Sequence, residues 1–115
     1  MSAVEQYARA HVVTDSPDDA DAVPVILRYD PGTDPRSVRV GLPGPNEWAF
    51  PRDLLERGLI APVSSGDVTI WPCGRVQAVI EFHTAEGAEV MQFDSNELLR
   101  VLRRTYMAGA TPGAR

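Results

Sequence analysis

Residues 48–72 constrain what this chain can fold into more than any other stretch. They read Trp-Ala-Phe-Pro-Arg-Asp-Leu-Leu-Glu-Arg-Gly-Leu, then a short loop, then Gly-Asp-Val-Thr-Ile-Trp-Pro. The pattern predicts the end of a strand, a compact helix over 51–57, a turn and a new strand. Pro51 suits the first helical position, where its missing N–H costs nothing and its fixed φ is already helical. Gly58 suits the position just past the helix, where a left-handed backbone is needed, and Leu59 can fold back onto Leu54 or Leu55. Gly66 and Asp67 make a turn before the alternating Val68-Thr69-Ile70-Trp71. Leu54 and Leu55 form the buried side of the helix; Arg52, Asp53, Glu56 and Arg57 form its solvent side. Asp53 and Arg57 both complement the helix dipole. Two turns are marginal alone, so packing against the rest of the chain must hold them.

On either side of this segment the apolar residues recur with a period of two, the signature of half-buried strands. Residues 4–13 place Ala8, Ala10 and Val12 on one parity and Tyr7, Arg9 and His11 on the other, with a short amphipathic helix as the competing reading. Residues 23–29 alternate more sharply: Val25, Leu27 and Tyr29 against Ile26 and Arg28, with Pro24 tolerated at the start of the strand. The Asp30-Pro31-Gly32-Thr33-Asp34-Pro35 turn leads to a strand over 37–42 with Val38, Val40 and Leu42 on one side. After the Pro43-Gly44-Pro45-Asn46 loop, extended structure resumes with Trp48 and Phe50 on one face. Beyond Asp67 a meander of three strands is expected over 68–71, 75–83 and 88–93. In its middle strand Val76, Ala78, Ile80 and Phe82 turn inward, and Val79 is an apolar exception on the outer face.

Asp94-Ser95-Asn96-Glu97 has the side chains of a capping box and opens a longer helix. Leu98, Leu99, Val101, Leu102, Thr105 and Tyr106 form its stripe, with Arg100, Arg103 and Arg104 gathered toward its C-terminal half. Gly109 and Thr111-Pro112-Gly113 end it. The sum is an α+β domain over 1–115: mostly antiparallel sheets of five to seven strands, a short inserted helix and a C-terminal helix, with 1–3 and 108–115 frayed.

At 115 residues the chain has room for one core. The formal net charge of −5 works against a role built on phosphate neutralisation. All eleven basic residues are arginine, so a lysine-dependent P-loop is excluded. The single cysteine, Cys73, permits no internal disulfide and fits a reducing compartment. The N-terminus lacks a signal-peptide pattern, and no apolar run approaches the roughly 20 residues that span a bilayer.

Candidate chemistry is sparse. Cys73 and His83 are the one nucleophile–base pair of the papain type, but Cys73 sits in a Pro-Cys-Gly turn with no helix N-terminus to lower its pKa. A surface cysteine and histidine are the plainer reading. His11, His83 and Cys73 stand at no metal-ligand spacing, so neither metal nor cofactor is expected. The acidic residues within 14–21 lack the spaced ligands and glycine of an EF-hand and read as a solvated connector. Arg100, Arg103 and Arg104 suit a phosphate or an acidic partner, or a solvated helix face that offsets the dipole. Trp48, Phe50, Trp71 and Tyr106 suit a core or a subunit interface better than a base-stacking platform.

Several pieces, taken in order and spacing, resemble the actinobacterial SsgA-like proteins of sporulation and cell division. They are Leu27-Arg28-Tyr29-Asp30-Pro31 followed by Asp34-Pro35, Trp48-Ala49-Phe50, Arg52-Asp53-Leu54-Leu55, Gly58-Leu59, Pro62, and Gly66-Asp67-Val68-Thr69-Ile70-Trp71-Pro72. Glu86-Gly87-Ala88-Glu89, Leu102-Arg103-Arg104-Thr105 and Pro112-Gly113 extend the resemblance more thinly, so that it covers the chain from about Val12. The chain departs from the pattern at Arg36, where an aromatic is usual, at Pro51, where Ala is common, and at Ser64, where Gly is common. The usual acidic C-terminal extension is also missing.

The resemblance implies a non-enzymatic cytoplasmic protein acting at the division septum. Its expected partners are the tubulin-like division protein FtsZ or other SsgA-like proteins. A trimer is favoured, with a subunit similar to the single-stranded nucleic-acid-binding whirly proteins; single-strand binding is therefore the alternative function. On this reading Trp48, Phe50, Leu54, Leu55, Gly58 and Trp71 hold the scaffold. Arg52, Asp53, Arg100, Arg103 and Arg104 are the candidates for partner docking.

Overall fold

The described residues form eight strands, most of them alternating between one face for a core and one for water. The computed structural model describes residues 3–13, 22–42, 47–85 and 87–109. The strands are β1 (Val4–Val13), β2 (Ala22–Asp30), β3 (Asp34–Gly41), β4 (Glu47–Pro51), β5 (Val63–Ser65), β6 (Val68–Cys73), β7 (Gln77–Thr84) and β8 (Gly87–Asp94). Helix α1 (Arg52–Gly58) separates β4 from β5, and α2 (Ser95–Gly109) follows β8. The acidic connector at 14–21, the Pro43–Asn46 loop and the tail at 110–115 lie outside the described residues.

All eight strands join one antiparallel sheet in the order β4-β3-β2-β1-β8-β7-β6-β5. Two four-stranded meanders are thus sewn together by β1 and β8, with Ala10 opposite Phe93 and Val12 opposite Met91. The sheet curls into a half-barrel. Trp48 of β4 stacks on Phe82 of β7 with ring centroids 4.9 Å apart, and Phe50 lies 6.0 Å from the same ring, although four strands separate β4 from β7 in the sheet. The expected parities hold for β1, β2 and β3: Ala8, Ala10, Val25, Leu27, Tyr29, Val38 and Val40 line the concave, buried side. The helical alternative for the first segment is thereby excluded.

The expectation of five to seven strands falls short. Strand β5, three residues long, occupies what reads as a loop, and it forms by pairing Val63 with Ile70 and Ser65 with Val68. So short a segment carries no period of its own. Val76 is a second correction: it lies in the turn before β7 and is exposed, not inward. Gly74, at φ 70°, turns the chain there, and the strand begins only at Gln77. Val79, by contrast, lies on the outer face as expected and is nevertheless buried, flanked in the register by Trp71 and Gln92. Trp71 is accordingly half-buried on the convex face and is no part of the central core.

Helix α1 corrects two further expectations. Pro51 ends β4 and caps the helix from an extended conformation (φ −61°, ψ 140°), so the first helical residue is Arg52. Gly58 is the last helical residue and has no positive φ; Leu59 follows it in a right-handed conformation. Glycine is needed there for close approach. A Cβ on residue 58 would sit 2.4 Å from Ile70 Cγ2 and 2.5 Å from its Cβ. The absent side chain lets α1 lie directly on β6. Leu54 and Leu55 are fully buried as expected.

Helix α2 crosses β1, β8 and β7 and contributes Leu98, Val101 and Leu102 to the core. Asp94 caps it, its Oδ1 accepting the Asn96 N–H at 2.9 Å. Glu97 does not close a capping box. Its Oε2 accepts the Arg9 N–H at 3.3 Å, and its backbone carbonyl accepts Gln6 Nε2 at 3.1 Å. These bonds tie α2 to β1.

Candidate functional site

The inner face of α2 is only half of what that helix presents. Leu98, Val101, Leu102 and Thr105 are buried. Leu99, Arg103 and Tyr106 stand at i, i+4 and i+7, so they form a second stripe on an adjoining face. Leu99 is 40% and Tyr106 44% exposed, which corrects their assignment to one core-facing stripe. This second stripe forms one wall of a groove of about 480 Å³. Also lining it are Glu56, Leu59 and an 80% exposed Ile60 from the end of α1 and the residues after it, Pro72 of β6, Gly74 and Arg75 of the β6–β7 turn, and Gln77. The groove is chiefly apolar and carries two arginines, Arg75 and Arg103, and one carboxylate, Glu56.

The five docking candidates do not act as one surface. Arg52 turns back into the fold. Its guanidinium lies 4.1 Å from the centroid of the Tyr106 ring and 5.5 Å from that of Tyr29, and it donates to the Tyr29 hydroxyl at 3.3 Å and the Thr105 carbonyl at 3.4 Å. It therefore braces α1 against α2 and β2, where solvent exposure is expected from its place on the helix. Asp53 is exposed and pairs with Arg57 at 3.4 Å, one helical turn on. Arg104 reaches to β1, donating to the Glu5 carbonyl at 3.2 Å and Gln6 Oε1 at 3.4 Å. Arg103 enters the groove and Arg100 lies on the exposed face between them. Among the described residues neither Arg100, Arg103 nor Arg75 has a hydrogen-bonding or ion-pair partner for its side chain.

Tyr106 joins the brace to the groove. Its hydroxyl donates to Glu56 Oε1, and this bond to the carboxylate holds the phenol pKa above its ordinary value, with desolvation and the Glu56 charge adding to the effect. The phenol is thus held neutral and the Glu56 carboxylate partnered. Arg75, Ile60 and the second stripe escape the sequence reading. The stripe alone has a signal, since the apolar positions of α2 are too many for one face.

Elsewhere the chemistry-bearing residues stay apart. Cys73 pairs in register with Gln77, while His83 lies near the other end of β7, on the order of 20 Å away at the ~3.3 Å rise of a strand residue. His83 Nε2 is 3.3 Å from Glu81 Oε1. Arg28 and Arg39 on the convex face pair with Glu5 and Glu47 at 3.3–3.4 Å. Among the described residues no three His, Cys, Asp or Glu side chains gather as a metal site. No helix there is long and apolar enough to cross a membrane.

Comparison with known proteins agrees with this architecture. Residues 23–112 match the family described as Streptomyces sporulation and cell division protein, SsgA. The sporulation-specific cell division protein SsgB of Saccharopolyspora erythraea is 44% identical over 73% of the chain and 63% of its own length. The SsgB of Kineococcus radiotolerans is 34% identical over 71% of the chain and 54% of its own length. The match thus spans less than two thirds of either relative. A structure of SsgB, mutations in which correlate to longitudinal cell division during sporulation of Streptomyces coelicolor, superposes with a TM-score of 0.83 at 34% identity, covering 97% of this chain and 90% of that one. An SsgA-like sporulation-specific cell division protein from Thermobifida fusca gives 0.76 at 28% identity, covering 98% and 85%. With residues 23–112 matched by the family model, and the curled eight-stranded sheet and both helices shared with solved relatives, the chain belongs to the SsgA family of sporulation and cell division proteins.

Proposed function

We propose that this protein is a non-enzymatic adaptor of cell division that helps position or activate the septum through protein–protein contacts. Its expected partners are FtsZ or a recruiter of FtsZ such as another SsgA-like protein. The observation that carries this reading is the groove between α1, α2 and the β6–β7 turn: apolar, open and lined in part by exposed side chains, Ile60 and Leu99, that stand outside the core. Apolar surface left in water at one place is the mark of a docking site. Cys73 and His83, read as a pair of the papain type, lie toward opposite ends of β7. Single-strand binding needs a basic, aromatic-lined face; on the convex face Arg28 and Arg39 are neutralised by Glu5 and Glu47, and the concave face is filled by the core.

The test is a pull-down from an actinobacterial lysate with and without nuclease, using protein whose mass has been fixed by light scattering. A division protein retained after nuclease, with a mass near three chains, supports an oligomeric adaptor at the septum. Recovery lost on nuclease treatment, together with salt-sensitive binding to single strands, overturns it in favour of nucleic-acid binding.

A further inference from the structure

We infer that the α1–α2 groove is a receptor for an acidic peptide segment with apolar anchors, carried by another protein; the inference deepens the adaptor reading and rests on it. The chain as a whole carries a net charge of −5, so diffuse electrostatics repel an acidic partner. The groove departs from that average. Arg75 and Arg103 line it with no ion pair among the described residues, two positive charges against its one carboxylate, Glu56, whose Oε1 accepts the Tyr106 hydroxyl. An unpaired guanidinium beside an apolar wall is suited to a carboxylate, which it binds in a forked, bidentate geometry. The apolar wall of Leu99, Ile60 and the Tyr106 ring accepts an aliphatic or aromatic side chain, as hydrophobic grooves take the anchors of short peptides. Arg52 packs against Tyr106 from inside, so that wall is ordered before a ligand arrives and less binding energy is lost in ordering it. A basic segment would place its charges against Arg75 and Arg103, which sets the sign of the partner.

The experiment is fluorescence anisotropy on the full chain with a short labelled peptide in which Asp and Glu alternate with Leu and Phe. Two control peptides replace the acids with Lys or the apolar residues with Ser. The acidic–apolar peptide is expected to bind, less tightly as salt rises, while both controls fail. The double variant Arg75→Glu/Arg103→Glu should weaken binding about tenfold or more. Leu99→Ser should weaken it with the salt dependence unchanged. Arg36→Glu, exposed and outside the groove, should bind as wild type does; circular dichroism verifies that each variant is folded. Equal binding of the Lys peptide, or undiminished binding by the folded double variant, overturns the inference. So does light scattering in which the double variant alone loses self-association, since the groove would then belong to a second copy. The two proposals fail separately. A division protein captured equally by wild type and double variant leaves the adaptor and removes the groove. Peptide binding with no division protein captured leaves the groove and removes the adaptor.

Discussion

Gly58 shows how one residue can satisfy a sequence rule for a different physical reason. A glycine at the end of a helix suits a left-handed cap, yet here it gives α1 its 2.4 Å clearance problem with Ile70, solved by having no side chain. Because the site lies inside a helix, Gly58→Ala would gain up to about 1 kcal/mol of propensity on an open surface. Against β6 the added methyl must displace Ile70, and overpacking of this kind costs about 1–3 kcal/mol. We therefore expect Gly58→Ala to lower the urea midpoint, and an accompanying Ile70→Val not to restore it, since valine keeps the Cβ and the γ-methyl that the new methyl meets. Asp30 gives a second residue-scale prediction. Its Oδ1 accepts the Gly32 N–H at 2.9 Å and its Oδ2 the Thr33 hydroxyl at 3.0 Å, and these bonds, the Gly32 one foremost, hold its pKa below the ordinary carboxylate value. A depressed folded-state pKa means stability that is present above the unfolded value and is lost as pH falls through the folded one. Asp30→Asn should remove that part of the acid dependence, read as a shallower fall of the unfolding midpoint below the ordinary carboxylate range.

At the scale of elements, the two helices are held by different means. Helix α1 is wedged: Leu54 and Leu55 are fully buried and Gly58 permits contact. Helix α2 is both packed and tied, with Gln6 at the centre of the tie. Its amide donates to the Glu97 carbonyl and accepts from Arg104, and it is one of two buried polar residues among those described. Gln6→Ala leaves both partners short of a hydrogen bond, at a cost of about 1–3 kcal/mol. The loss should appear as faster amide hydrogen exchange across α2 before exchange changes in β6 and β7. If both segments accelerate equally, α2 is no separate unit. The same helix shows how far sequence patterns reach. The stripe Leu98, Val101, Leu102 and Thr105 is legible from spacing. That Leu99 and Tyr106 face outward follows from where α1 lies, which no period in α2 records.

For the whole molecule, the decisive feature is the curl of the sheet. Phe82 is buried beneath Trp48 and beside Phe50, so one ring closes a contact between strands far apart in the sheet order. Phe82→Ala should cost about 3–5 kcal/mol. Loss of the stacked partner should also change the Trp48 fluorescence of the folded state. A variant that retained wild-type stability would mean that the half-barrel is held elsewhere.

The sequence by itself determined what depends on near neighbours: strand parity over 4–13, 23–29 and 37–42, two helices, the Asp94 cap and the turns at Gly66 and Gly74. These follow from periods of 2 and 3.6 and from single-residue φ preferences, which act within a few positions. It also carried enough motif order to mark the family. Tertiary structure alone decided the eighth strand, the inward turn of Arg52, the exposure of Val76 and the division of the α2 arginines among a brace, a groove and open solvent. Each of these depends on which distant segment supplies the partner: β6 for β5, Tyr29 and Tyr106 for Arg52, β1 for Arg104. A contact across the fold leaves no local period in either segment, so the groove becomes visible only once the sheet has closed.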